Sequence, residues 1–191
     1  VWNSEGVQYA EPKLKMMGIE AVKSSTPSAC RTAIKDALKV IMNGSESDVQ
    51  QFVGDFRQKF ESMPPEDIAF PRGCNGVGKF SNPVTIYGKG TPIHVRGALL
   101  YNFHAKKTKI THKYPLIQEG EKVKFIYLRR PNKINENVIS FFQTLPKEFG
   151  LDKYIDFDLQ FQKSFLDPLQ VIMDTINSVS YTHLRAHETE E

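Results

Sequence analysis

Two hydrophobic periods meet at one short boundary in this chain, and the meeting fixes an order of strand, turn and helix. From Tyr9 to Met16 charged and apolar residues alternate, with Lys13 and Lys15 set against Leu14 and Met16. A period of two puts the lysines on one side of a strand and the apolar residues on the other. Val1 to Gly18 therefore reads as a hairpin, turning at Asn3 to Gly6. Beyond Gly18 the run Lys23-Ser24-Ser25-Thr26-Pro27 leads into apolar residues three and four apart: Cys30, Ala33, Ile34, Ala37, Leu38 and Ile41. That spacing predicts a helix with Pro27 in its first position. Hydroxyls and free amides at such a helix start suit an anion, phosphate above all.

The rest of the chain alternates between helical and strand patterns. Asn43-Gly44 ends the first helix, and Ser45 with Asp48 three residues on starts a second with a capping-box pattern. Its inward residues are Val49, Phe52, Val53, Phe56 and Phe60, and it stops at Pro64-Pro65. Residues 66–92 are rich in Gly and Pro and read mostly as loop, with a short strand at Val84 to Tyr87. Pro92 to Lys107 reads as a helix with Val95, Ala98, Leu99 and Phe103 inward and a cationic end. Lys122 to Leu128 alternates as a half-buried strand, and Val138 to Phe142 is its expected partner. Asp158 to Asn177 forms a long helix with Phe161, Phe165, Leu169, Ile172 and Ile176 inward, kinked at Pro168. The fold class is α+β, mainly helical, with small antiparallel β elements.

The length of 191 residues suits one compact domain, and a hydrophobic fraction of 40% is ordinary for a globular protein. No apolar run reaches membrane-spanning length, and no signal-peptide layout opens the chain. Cys30 and Cys74 have no second pair, so neither a zinc site nor a disulfide framework is supported, and a reduced setting fits. Because the chain starts at Val1 inside an expected strand, it is read as a piece of a longer protein. The net charge of +3 hides an asymmetry: between Asp67 and Glu119 there is no acidic residue. The same interval holds Arg72, Lys79, Lys89, Arg96, Lys106, Lys107, Lys109 and Lys113, with His94, His104 and His112. Solvated surfaces mix signs to limit self-repulsion, so a one-sided interval points to a polyanion.

Three motifs need weighing. Gly73-Cys-Asn-Gly-Val-Gly-Lys79 has the spelling of a phosphate-binding loop, but Phe80 stands where a Ser or Thr should ligate magnesium. Pro71-Arg72 replaces the expected buried strand before it, and Asn82-Pro83 leaves no room for a helix after it. The loop either touches the phosphates of a polyanion through Arg72, Asn75 and Lys79 or is plain surface. Asp156 and Asp158 have the spacing of a two-metal pair, yet they open a helix, where carboxylates cap free amides. The three histidines are too irregularly spaced for zinc and are placed in loops or on the binding face, adding hydrogen bonds and partial charge.

Four blocks carry a resemblance: Tyr9 to Pro27, Thr91 to Asn102, Gln118 to Leu128, and Tyr154 to Asp158 with Lys163 to Leu166. In order and spacing they resemble the end of the palm and the thumb of family B DNA polymerases, most closely those of T-even-like tailed bacteriophages. The resemblance implies a palm remnant over residues 1–20 and a thumb over 21–178, gripping primer–template DNA. It implies a parent enzyme that adds deoxynucleotides with two Mg2+ ions held by palm aspartates upstream of Val1. The chain itself would then need no cofactor, lack nucleotidyl transfer and be inactive alone. Partners implied are the palm, fingers and exonuclease domains and a sliding clamp, although the clamp-binding peptide is absent, and the setting is the cytoplasm of an infected bacterium. At the position matching Lys23 the family uses a minor-groove lysine. Lys13, Lys15, Ser24, Ser25, Arg72, Asn75, Lys79, His94, Arg96, Lys106, Lys107 and Lys163 are the candidate backbone contacts, and Asp167 departs from the pattern where a second Lys would strengthen contact. A stand-alone nucleic-acid-binding module and a helical protein-interaction domain are the alternative readings. Val179 to Thr189 continues no periodicity and reads as the translation of a sequencing-library adapter, so residues 179–191 are set apart as non-native.

Overall fold

In the computed structural model, which describes residues 24–176, the first helix starts one residue later than the sequence suggests. Pro27 is its N-cap rather than its first turn, and α1 runs Ser28–Asn43. The expected stripe is its buried face, from Cys30 to Leu38. Gly44 closes it by donating to the Val40 carbonyl. Ser45 then caps α2, Glu46–Ser62, through the reciprocal bonds of a capping box with Asp48. α1 and α2 form a helical hairpin, and Phe56 and Phe60 of α2 are fully enclosed.

The chain turns at Pro64 through a short helix α3, Pro65–Ile68, into β1, Phe70–Gly73. This strand corrects the loop expected there. Pro71 lacks an N–H but is tolerated because β1 lies at the edge of its sheet. One helical turn α4, Val77–Phe80, and a two-stranded hairpin of β2, Ser81–Asn82, and β3, Ile86–Tyr87, follow. Next come α5, Ile93–Lys107, then β4, Lys122–Tyr127, and β5, Val138–Phe141. The main sheet has the order β1-β4-β5, all antiparallel. The central place of β4 explains why Ile126 is buried along with Val123 and Phe125.

α5 lies directly on β5. A Cβ on Gly97 would stand 2.4 Å from Ser140 Oγ and 2.8 Å from Ser140 N, so only glycine permits the approach. Ser140 Oγ donates to the His94 carbonyl at 2.8 Å and pins the start of the helix. α5 is buried on more than one stripe, with Gly97, Leu100, Tyr101 and Ala105 enclosed as well as Val95, Ala98 and Leu99. Phe103 is the exception: expected inward, it is 43% exposed.

The last helical segment is not continuous. α6, Phe157–Phe161, passes into a π turn, Gln162–Leu166, before helix resumes over residues 167–176. Pro168 was expected to kink a regular helix; the irregularity takes the form of a wide turn just before it, which accommodates the missing donor. Phe161 and Phe165 face Phe56 and Phe60 of α2 at ring distances from 4.8 to 5.8 Å. Gln160 is fully buried and joins the layers: its Nε2 donates to the Ile68 carbonyl at 2.6 Å, and its Oε1 accepts from the Tyr127 amide at 3.1 Å. The carboxamide stands in for a peptide unit where β1 has not yet begun. Cys30, with a thiol that burial pushes up to about 11, donates to Ser164, which donates to the Gln160 carbonyl.

Candidate functional site

Opposed residues of antiparallel strands point to one side of a sheet. Phe70 is opposite Phe125, which is opposite Ser140, and Arg72 is opposite Val123. One sheet face thus carries an aromatic row that Tyr127 extends, 5.7 Å from the Phe125 ring and 6.2 Å from Phe70. Cations cover it. The Arg72 guanidinium lies 5.6 Å from the Phe70 ring centre and 5.4 Å from that of Phe125. The His94 ring is 6.5 Å from Phe125, and Lys163 reaches from the π turn to within 5.6 Å of the Tyr127 ring. Arg72 also donates to the Ser25 carbonyl at 2.7 Å, which ties the start of α1 to this face. The fold therefore brings together Ser25, Arg72, His94 and Lys163, with exposed Ser24 adjoining them.

The electrostatics of this face differ from the sequence reading. Burial and the neighbouring Arg72 charge hold His94 below its ordinary value, and burial with Lys107 does the same to His104. Both are half-buried on α5 rather than in loops, while His112 does lie in a turn. The fixed charge comes from Arg72 and Lys163.

The remaining candidates are distributed. Arg96 donates to Asn137 Oδ1 at 2.8 Å and lies 5.7 Å from the Tyr87 ring, so it serves the hairpin contact. Lys106 and Lys107 are exposed at the far end of α5, about 20 Å from His94 at the rise of an α-helix. Asn75 and Lys79 are exposed on the glycine loop. Lys13, Lys15 and Lys23 lie outside the described residues, as do the 1–20 hairpin and the tail at 179–191.

The glycine loop has its own anion. Gly76 and Gly78 donate to the two carboxylate oxygens of Glu119 at 2.6 and 3.3 Å. These amides hold the Glu119 carboxyl below the usual carboxylate range. The strand before the loop is an edge strand with only Phe70 buried, and the helix after it is a single turn that stops short of Asn82-Pro83. The phosphate-loop resemblance fails for these reasons and two more: Phe80 packs on Gly76, and Glu119 holds the amides. No sequence spacing signals this contact, because Glu119 arrives from over forty residues away. It also brings acid to an interval that has none in sequence.

Asp156 caps α6 by accepting from the Leu159 amide at 3.1 Å, as its position implied. Asp158 pairs with Arg57. Among the described residues no cluster of three His, Cys, Asp or Glu is placed to hold a metal ion. No helix among the described residues is long and apolar enough to cross a membrane.

The strands and α5 thus define an α+β domain with a cation-covered aromatic face. No protein-family model matches the chain. It is 31% identical over 173 residues to the DNA-directed DNA polymerase of Enterobacteria phage T4, covering 88% of this chain and 19% of that protein. It is 33% identical over 175 residues to the DNA-directed DNA polymerase of Escherichia phage RB69, covering 89% of this chain and again 19% of the relative. The chain spans about a fifth of the length of the relatives it matches. It is homologous to a segment of T-even-like phage DNA polymerases, in line with the resemblance carried by its sequence blocks.

Proposed function

We propose that this chain is the duplex-gripping thumb, residues 21–178, of a family B replicative phage DNA polymerase, joined to a palm remnant over residues 1–20. The observation that carries the reading is the convergence of the Ser25 backbone, Arg72 and Lys163 on one sheet face, in a chain homologous to phage DNA polymerases. A replicative enzyme holds every sequence equally, so contacts to phosphates dominate over contacts to base edges. Lys163 and the part of Arg72 not turned to carbonyls supply charge, and the Ser24 and Ser25 hydroxyls supply hydrogen bonds. Lys13, Lys15 and Lys23, which precede this helix start in the chain, are read as further contacts to the duplex. Lys23 is assigned to the minor groove, where purine N3 and pyrimidine O2 acceptors occur in every correct pair. Asn75, Lys79, His94 and Arg96 take lesser parts, whereas Lys106 and Lys107 stand at the other end of α5, away from this face.

In this reading primer–template DNA is the partner, with the remaining polymerase domains and, in the parent, a sliding clamp. The setting is the cytoplasm of the infected bacterium. Magnesium and the nucleotide belong to the parent's palm, and this chain alone does not transfer nucleotides. The test is duplex binding by the 191-residue chain, followed by fluorescence anisotropy with a labelled primer–template. Wild type binds without sequence preference, and Arg72→Ala and Lys163→Ala each weaken it. Equal binding by all three proteins would remove the sheet face from the interface. Primer extension by the chain alone with magnesium and nucleotides would show that a catalytic centre had been missed.

A further inference from the structure

Phe103 is the large residue of α5 that the fold leaves open. Val95, Leu99, Leu100 and Tyr101 are enclosed, whereas Phe103 keeps 43% of its surface in solvent. Lys106 and Lys107 stand three and four residues further on, the positions that neighbour it on a helix surface. Lys109 follows just past the helix end, in a left-handed conformation with φ of 57°. Among the described residues no ion pair engages Lys106, Lys107 or Lys109. Glu136, the carboxylate whose field reaches His104, is itself engaged by the Tyr87 hydroxyl and by Arg130.

Lysines in the last turn offset the negative end of the helix dipole, but a dipole calls for no exposed ring. The His104 ring lies 5.1 Å from Phe103 with the two planes at 90°, so the pair is perpendicular and not stacked, and 43% of the Phe103 surface stays open. An open ring face flanked by unpaired cations matches a ligand with flat π surfaces and one negative charge per unit. Single-stranded nucleic acid has both, and aromatic stacking is tolerant of base identity. A duplex keeps its bases stacked inward and offers the ring nothing. We propose that Phe103, Lys106 and Lys107 form a stacking platform for single-stranded nucleic acid, separate from the duplex surface at the other end of α5.

The test uses the full chain and a labelled oligothymidylate of about a dozen nucleotides, a length within single-strand site sizes. Phe103→Ala should weaken oligothymidylate binding about tenfold, since stacking on a protein ring is commonly worth that much or more. Phe103→Trp should retain or tighten it, and both variants should bind duplex as wild type does. Because the ring is exposed, neither substitution removes core packing. Unchanged binding by Phe103→Ala, or no binding of the oligonucleotide by wild type, would overturn the proposal. So would displacement of the oligonucleotide by oligoglutamate of equal charge, which would mark a site for acidic peptides. Duplex binding by Arg72→Ala and Lys163→Ala reports on the other surface, so the two proposals fail independently.

Discussion

Arg72 shows how one residue can serve fold and interface together. Its guanidinium donates to the carbonyls of Ser25 and Pro71 while lying over Phe70 and Phe125. Arg72→Lys keeps the charge but loses the fork and much of the stacking, so it is not a neutral change. Lys23 carries a cleaner prediction, since its assigned role is to donate to minor-groove acceptors. In the parent polymerase Lys23→Ala should weaken primer–template binding by about one to two decades, the scale of a lost hydrogen bond to a charged group. A primer whose terminal base lacks the minor-groove acceptor checks the mechanism. If the contact is real, the losses from the analogue and from Lys23→Ala do not add, and full additivity would return Lys23 to a phosphate or structural role. The histidines set a pH prediction. His94 and His104 are both held below their ordinary value in the fold, so the unfolded chain takes up protons more readily. Stability is therefore level above the unfolded histidine value of about 6.5 and falls as pH drops below it. Denaturant midpoints measured between about pH 8 and 5 should follow that course, and His94→Gln should shrink the fall. Protonation of the depressed Glu119 and Glu148 carboxyls belongs to a lower, separate window.

At the scale of elements, the contact of α5 with β5 depends on a missing side chain. Gly97→Ala should destabilise the domain by roughly 1–3 kcal/mol despite the better helix propensity of alanine, because the helix must lift off Ser140. Gly54→Ala is the matched control. It lies in α2 with no atom within 4 Å of a new Cβ, so it should stabilise by up to about 1 kcal/mol. Chemical denaturation of the two variants gives the comparison directly, and like signs would mean that the close approach is not as described. The helices were legible in sequence because their stripes and caps are local: the capping box at Ser45 and the stripe from Cys30 to Leu38 need only neighbours in the chain. β1 was not, since Gly and Pro dominate its surroundings and its partner β4 lies some fifty residues away. Nor was the π turn, because Phe161 and Phe165 keep a helical spacing through it. Of the candidate site, the individual cations were visible, but the aromatic row that gathers Arg72, His94 and Lys163 was not. Strand alternation marked Phe125 and Tyr127 as inward, yet only the register of β1 on β4 sets Phe70 and Arg72 beside them. Glu119 escaped for the same reason.

Over the whole molecule, charge in space is less one-sided than charge in sequence. The interval from Ile68 to Gln118 has no acid, yet Glu119 sits on its glycine loop and Glu148 pairs with Lys113 at 3.1 Å. Arg96 is spoken for by Asn137. Lys106 and Lys107 lie at the opposite end of α5, so they add little to a duplex held at the sheet face. In the proposed reading the cations that meet a duplex are Arg72 and Lys163 with Lys13, Lys15 and Lys23, supplemented by the glycine-loop Lys79. A surface that neutralises about five phosphates should give a plot of log affinity against log salt with a slope near −4 to −5. Equilibrium titrations of the chain with duplex DNA across a salt series measure it. Arg72→Ala and Lys163→Ala should each flatten the slope by about one and weaken binding alike across unrelated sequences, the mark of a phosphate contact. Lys106→Ala should leave the slope for duplex unchanged. A slope near zero would mean that the basic interval does not face a polyanion, and a slope that falls only with Lys106→Ala would move the duplex to the other end of the molecule.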